Sequence, residues 1–229
     1  MKKITSLLLF FGLILLLIAS SCQKNDSIDG GSLSKDYVDM TTFDFLKTQP
    51  LFDSVVLLIE KAGLKDAFNT QGATVFIPTD YAIFKYLADR SADSANIDES
   101  RRFTFDMLMA GPKGDAVLDS LKGYIFSQKI TRDELTANGV GKSVSYTSLL
   151  GMKLAISLEE TTEYDGTIWQ RPKYIYMTRV FGIPDKDIVG DISPEEADMK
   201  FKMETTGIKT KTGFLHVIRR SEHVAFFRR

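Results

Sequence analysis

The chain has 229 residues, 29 Lys and Arg against 30 Asp and Glu, and a formal net charge of −1. This near-neutral balance argues against a nucleic-acid-binding protein, because such a protein carries a basic face. The length suits one domain with a substantial core, and 16 Phe, 8 Tyr and 8 Met indicate a well-filled interior.

The first 21 residues have the pattern of a bacterial secretion signal. Lys2 and Lys3 supply a positive start, residues 7–18 form an almost unbroken apolar run, and small residues at 19–21 precede Cys22. The apolar run is shorter than the roughly 20 apolar residues that span a bilayer comfortably. We therefore expect residues 1–21 to be a signal peptide that is removed.

Cys22 is the one cysteine of the chain, so it cannot form an intramolecular disulfide. Thioether lipidation would consume its thiol, and we predict that Cys22, carrying acyl chains such as palmitate, is the mature N-terminus. The alternative is an ordinary signal peptide that is cleaved near Ser21, so that Cys22 remains as an unmodified residue. Gln23, rather than Asp, follows the cysteine, which indicates a lipoprotein sent to the outer membrane. Whether it faces the periplasm or the cell surface stays open.

Residues 22–39 are polar, contain glycine and have almost nothing to bury, so we predict a lipidated tether. A short helical turn follows at residues 42–46 and stops before Pro50. Apolar residues at helical spacing then predict a helix from Leu51 to Lys61, and Gly63 stands where a left-handed cap would end it.

Residues 74–77 are rich in β-branched side chains and predict a buried strand that stops at Pro78. A helix then runs to about Leu87, and we expect Thr79 or Asp80 to cap its first turn. Two further helices are predicted at 101–110 and 115–124.

These opening elements carry a family resemblance. The letters AGLKDAF followed by TVFIPTDYAIFKYL are similar to the start of the fasciclin domain. The matching positions are Ala62, Gly63, Leu64, Thr74, Val75, Phe76, Pro78, Thr79, Asp80 and Ala82. The resemblance implies an α+β fold in which helices pack around a wedge-shaped β-sandwich.

The middle and closing motifs of that family are matched in part. Tyr124 matches the tyrosine of the family's Tyr-His pair, while Ile125 replaces its histidine. Near the end of the chain, the letters TGFLHVI resemble the closing motif, and Gly213, His216, Val217 and Ile218 match it. The resemblance thus brackets a domain at about 40–227. It implies adhesion or recognition of extracellular proteins or glycans.

Between the two motifs, Thr131 and Glu134 predict a capping box, and alternating apolar residues predict a strand at 149–158. Residues 159–198 exceed the family's usual connection, and we read them as a surface insertion. A hairpin turn at Asp165-Gly166 and strands at 167–169 and 174–180 are predicted within it. We expect recognition residues there, and the candidates are the aromatic side chains Tyr164, Trp169, Tyr174 and Tyr176.

No conventional hydrolytic triad can be assembled from this sequence. His216 lies in an apolar strand and is predicted to be a core histidine that hydrogen-bonds to the backbone. A glycosidase that uses Glu159 and Glu160 is disfavoured, because adjacent residues of a strand face opposite sides. Residues 185–196 match a calcium loop at Asp185, Asp187 and Glu196 but lack the fifth ligand at Val189, so a solvated loop is preferred.

The sequence therefore predicts a lipid-anchored binding or adhesion module of the outer membrane, not an enzyme, with no cofactor and no nucleic-acid partner. Its expected ligand is an extracellular protein or glycan. One alternative is an accessory lipoprotein subunit of an outer-membrane glycan-uptake complex. The other alternative is a hydrolase whose catalytic site has no recognisable motif in the sequence.

Overall fold

The computed structural model describes residues 37–95, 102–112, 116–161, 171–188, 190–193, 196–220 and 223–227. The predicted signal, Cys22 and most of the tether lie outside these residues. The described strands are β1 (Ala73–Ile77), β2 (Ile125–Phe126), β3 (Ser143–Thr147), β4 (Lys153–Glu160), β5 (Lys173–Arg179), β6 (Met199–Lys209) and β7 (Gly213–Ile218). They form one sheet in the order β2-β1-β7-β6-β5-β4-β3.

The sheet is mixed and bends at β6. Strands β1 and β7 run parallel, and the other neighbours are antiparallel. The first half of β6 pairs with β5, and the second half pairs with β7. Register shifts between Met203 and Thr205 and between Thr205 and Ile208 lie within the half that pairs with β7, and such irregularities bend and twist a strand. The sheet therefore folds over at β6, which with the helices gives the predicted wedge-shaped α+β fold.

The described helices are short, with one exception. They are α1 (Thr42–Lys47), α2 (Asp53–Ala62), α3 (Lys65–Phe68), α4 (Asp80–Ala95), α5 (Phe105–Ala110), α6 (Ala116–Asp119) and α7 (Arg132–Asn138). Single 3₁₀ turns occur at Pro50–Phe52, Ser120–Tyr124, Asp185–Asp187 and Ala225–Phe227. Within the described part of the chain, no helix is both long enough and apolar enough to cross a bilayer.

Local sequence signals for helix ends are confirmed in two places. Gly63 closes α2 with a φ of 71°, in the left-handed region that glycine enters without a side-chain clash. Thr131 and Glu134 form the predicted capping box at the start of α7. Leu51 differs from the prediction, because it lies outside α2 and is 46% exposed.

Asp80 caps a different helix from the one predicted. It is the first residue of α4, but its carboxylate oxygens accept hydrogen bonds from the backbone N–H groups of Ser54 and Val55, at 3.0 and 3.1 Å. Those N–H groups belong to the first turn of α2, which has no partner for them within the helix. Asp80 therefore joins the N-terminal ends of α2 and α4.

The strand predicted at 174–180 is confirmed as β5, whereas the strand predicted at 149–158 and the predicted surface insertion need correction. The strand predicted at 149–158 begins at Lys153, because Leu149 and Leu150 lie in a turn whose Gly151 has a φ of 82°. Residues 159–198 are not a surface insertion throughout, because their middle is β5. This strand lies between β4 and β6, and its Ile175 and Met177 are fully buried in the core. The hairpin and the strand predicted at 165–169 lie outside the described residues.

The first described residues of the chain pair with the end of β6. Tyr37 forms a parallel bridge with Lys209, and the N–H of Val38 donates to the Lys209 carbonyl at 2.7 Å. The N–H of Lys211 in turn donates to the carbonyl of Met40. These hydrogen bonds fix residues 37–40 beside the end of β6.

Candidate recognition face

The candidate site lies on one side of the half-sheet formed by β3, β4, β5 and β6. Alternate residues of a strand face opposite sides. On β4, Leu154, Ile156 and Leu158 are buried in the core, so Ala155, Ser157 and Glu159 lie on the opposite side. We call this side the outer face. Its central members are Glu159, Tyr174, Tyr176, Lys200 and Lys202.

Two tyrosines and two lysines interleave on the outer face. Tyr174 and Tyr176, both half-buried, are two of the four aromatic residues predicted as recognition candidates. The Nζ of Lys202 lies 3.8 Å from the ring centroid of Tyr174, and that of Lys200 lies 4.6 Å from the centroid of Tyr176. Both distances permit a cation–π attraction. The lysines therefore engage the tyrosine rings. Lys202 is itself buried, at 5% exposed, whereas Lys200 is partly exposed and supplies a cation at the surface.

Glu159 is held in place beside Lys200. The Nζ of Lys200 lies 2.6 Å from Oε2 of Glu159, and the hydroxyl of Ser157 donates to Oε1 at 2.6 Å. The adjacent Glu160 instead lies 3.7 Å from the Nζ of Lys173. Because the ion pair of Glu159 is partly exposed, it contributes little to stability, and its main effect is to fix a carboxylate and an ammonium side by side.

A cavity of about 260 Å³ opens next to this ion pair. Glu159 and Lys200 form part of its wall. The sheet contributes Ser143, Ala155 and Thr178, and the segment that leads from β5 to β6 contributes Val180, Pro184, Asp185 and Asp198. The cavity thus lies between the outer face and a loop, and it combines hydroxyl, carboxylate, ammonium and apolar groups.

Asp185 and Asp198 hold that loop together. The carboxylate of Asp198 accepts from the N–H groups of Phe181 and Asp185, each at 3.0 Å. In return, Oδ2 of Asp185 accepts from the N–H of Asp198 at 2.9 Å. Oδ1 of Asp185 is buried and has no hydrogen-bond partner among the described residues.

The structure uses the residues of the weak calcium match for other contacts. Asp185 is bonded to Asp198, Asp187 is exposed, and the hydroxyl of Ser193 donates to Glu196 at 2.9 Å. Within the described ranges, no group of three or more His, Cys, Asp or Glu side chains is placed to hold a metal ion.

Both histidines are buried. His216 accepts from the N–H of Gly207 at Nδ1 (3.3 Å), so its Nε2 donates to the carbonyl of Ile130 (2.9 Å), and its ring stacks on Phe76. This confirms the predicted core histidine. The Nε2 of His223 lies 2.6 Å from the hydroxyl of Tyr124. Burial lowers the pKa of His216 to about 4 and that of His223 to about 3, so both are neutral at pH 7.

The structure describes only part of the predicted site. Tyr174 and Tyr176 lie side by side with two lysines, whereas Tyr164 and Trp169 lie outside the described residues. Lys200, Lys202 and Asp198 are not among the site residues that the sequence predicts. A signal for the lysines was present, because the letters MKFKM at 199–203 alternate between apolar and basic residues, which is the pattern of a half-buried strand. No comparable signal marks Asp198.

The chain is similar to proteins that contain fasciclin domains. A family model described as the fasciclin domain matches residues 50–169. Among solved structures, a FAS1 domain pair from the insect cell adhesion molecule fasciclin I is similar to this chain, with 11% sequence identity and a TM-score of 0.41. The match covers 79% of this chain and 46% of that one, so this chain spans about half its length. No match was found among curated proteins.

Proposed function

The chain belongs to the fasciclin domain family, whose members are adhesion-related and generally non-enzymatic modules, and we propose that it binds an extracellular protein or glycan at the cell envelope. The observation that supports this function is the outer face. Its aromatic rings, its fixed Glu159–Lys200 pair and its adjacent cavity present several kinds of contact group on one side of the sheet.

The buried histidines favour binding over histidine-dependent hydrolysis. His216 and His223 are the two histidines of the chain, and their exposed fractions are 0% and 1%. A general base must come within hydrogen-bond reach of the proton that it removes. Neither ring can do so while the fold is intact.

We also propose that Cys22 carries the lipid that anchors the module to the outer membrane. The support is the signal pattern before this lone cysteine. Several acyl chains, at about 0.8 kcal/mol per buried methylene, give an anchor that washing does not reverse. Cys22→Ala should therefore release the protein from membranes. If the variant is processed normally and still pellets with salt-washed membranes, lipid on Cys22 does not hold the protein.

The binding function can be tested by co-purification from detergent-solubilised native membranes with two matched lysine variants. Lys200→Glu reverses a charge on the outer face. Lys211→Glu reverses a charge of similar exposure elsewhere, where Lys211 lies 3.1 Å from Asp39. Both changes break partly exposed ion pairs, so neither should alter stability much. We expect Lys200→Glu alone to lose the bound partner.

Equal capture by both lysine variants and the unaltered protein would place the partner away from the outer face. The identity of the captured molecule separates the two binding hypotheses. A stoichiometric membrane-protein partner would favour an accessory subunit of a glycan-uptake complex, whereas a glycan or a surface protein of another cell would favour adhesion.

A further inference from the structure

We infer that the cavity beside Glu159 and Lys200 is a subsite for one neutral, hydroxyl-rich ring, such as a single uncharged sugar unit of a glycan. The inference rests on the proposed function, because it names the ligand class for the same face. It follows from the size of the cavity, its charge and its hydrogen-bonding groups.

The volume limits the ligand to about one ring. Pockets for drug-sized ligands span roughly 300–1,000 Å³, and this cavity has about 260 Å³. On the sheet side of the cavity, Ala155 pairs with Thr178 of β5 and with Ser145 of β3, and its small methyl group leaves the space open. A longer glycan would therefore place one unit in the cavity and extend the others over the outer face.

The charge of the lining argues against an anionic ligand. Among the described residues, three carboxylates (Glu159, Asp185 and Asp198) and one ammonium (Lys200) line the cavity. A phosphate, sulfate or uronate would meet a net negative field. A cation is also disfavoured, because Lys200 repels it and because both oxygens of Glu159 and the carboxylate of Asp198 already accept hydrogen bonds.

The hydrogen-bonding groups match hydroxyls. The ammonium of Lys200 lines the cavity and carries several N–H donors, so a ligand hydroxyl can accept a hydrogen bond from it. Ser143 and Thr178 add hydroxyls that either donate or accept. A ring with several adjacent hydroxyl groups fits this mixture.

The apolar part of the lining suits the carbon side of the ring. Tyr174 and Tyr176 are engaged by Lys202 and Lys200 and do not line the cavity, so they contact the units that extend over the outer face and not the unit in the cavity. Val180 and Pro184 instead lie on the loop side of the cavity and Ala155 on the sheet side. These three residues supply the apolar contacts for C–H groups.

The test is saturation-transfer NMR on the detergent-solubilised full-length protein with four small probes. Methyl glucoside and N-acetylglucosamine are neutral, glucuronate is anionic, and glucosamine is cationic. We expect transfer to a neutral probe and binding of both charged probes that is weaker by about tenfold or more. No transfer to either neutral probe, or tighter binding of a charged one, would overturn the inference.

Paired variants locate the site. Ala155→Trp fills the cavity, and Thr147→Trp places the same side chain on the same face outside it. We expect the first to weaken binding of the neutral probe by about tenfold or more and the second to leave it unchanged. If Ala155→Trp does not melt cooperatively, Ala155→Leu replaces it as a smaller filler. Undiminished binding in a folded cavity-filled variant would overturn the subsite.

Failure of the sugar subsite can be distinguished from failure of the proposed recognition function. If Lys200→Glu loses a co-purifying partner and no neutral probe binds, the recognition function stands and the sugar subsite is wrong. If no partner co-purifies with the unaltered protein and no probe binds, both are wrong.

Discussion

The hydroxyl of Tyr124 lies 2.6 Å from Nε2 of His223, and this buried pair fixes the end of the described chain to the core. The same hydroxyl accepts from the N–H of Phe226 at 2.9 Å, so its proton is free to point toward His223. Phe226 and Phe227 have φ values of 63° and 53°, a region that costs a non-glycine residue about 1–3 kcal/mol. Tyr124 therefore helps to hold a strained segment.

Tyr124→Phe should destabilise the domain while keeping the ring that stacks on Phe227. The change leaves the N–H of Phe226 and the Nε2 of His223 without their partner, at a cost of about 1–3 kcal/mol. Thermal unfolding of the variant measures this loss. Tyr146→Phe, at a half-buried tyrosine of β3, is the control and should melt close to the unaltered protein. Equal melting of both variants would show that the Tyr124 hydroxyl does not support the fold.

The buried histidines predict a loss of stability in mild acid. Their pKa values fall from about 6.5 in the unfolded chain to about 4 for His216 and about 3 for His223. Burial is the main cause for both, and the charge of Lys85 adds to it for His223. Between these values the unfolded chain binds protons that the folded chain does not, so the free energy of unfolding decreases as the pH falls below about 6.5.

Each histidine contributes a slope of up to about 1.4 kcal/mol per pH unit between about pH 6.5 and its pKa in the folded chain, and none above or below that window. Denaturant unfolding at about pH 7.5, 6 and 5 measures the slope. Because the chain has two histidines, His216→Gln should remove about half of the slope between pH 6 and 5, in addition to any loss that does not depend on pH. An unchanged slope in this variant would mean that His216 titrates alike in both states.

The position of β5 predicts that the 159–198 segment cannot be cut out. Replacing residues 161–191 with a short Gly/Ser connection removes the strand between β4 and β6, and we expect the product to lose cooperative unfolding. Ile175→Ala is a smaller change that tests the same point, and it should lower the free energy of unfolding by about 2–5 kcal/mol. Thr178→Ala, on the outer side of β5, should lower the free energy of unfolding by less than about 1 kcal/mol. A deletion variant that still melts cooperatively would contradict the central place of β5.

The sequence predicts helix ends correctly where a few adjacent residues determine them. Gly63 and the Thr131–Glu134 capping box are readable because helix ends depend on a few adjacent residues. Asp80 was assigned to the wrong helix, because its bonds to Ser54 and Val55 cross 26 and 25 positions of sequence and depend on how α2 and α4 pack.

The outer face also depends on contacts between residues that are far apart in the sequence, and the sequence alone does not predict these contacts. Tyr174 and Tyr176 were visible as aromatic residues of a strand, but their lysine neighbours lie on β6. The pairing register that places Lys202 opposite Tyr176 is a property of the sheet as a whole. The excess length of 159–198 suggested a surface insertion, although burial of Ile175 and Met177 makes its middle part of the core. Length alone does not separate an added loop from an added strand.

The most direct test of recognition through the outer face is equilibrium binding of the full-length protein to one array that carries both glycans and extracellular proteins. Tyr176→Ala alters the outer face, and Phe84→Ala alters an aromatic residue of α4 that is 56% exposed. We predict that the unaltered protein binds, that Tyr176→Ala weakens binding by about tenfold or more, and that Phe84→Ala does not. Loss of binding in Phe84→Ala with full binding in Tyr176→Ala would contradict recognition through the outer face.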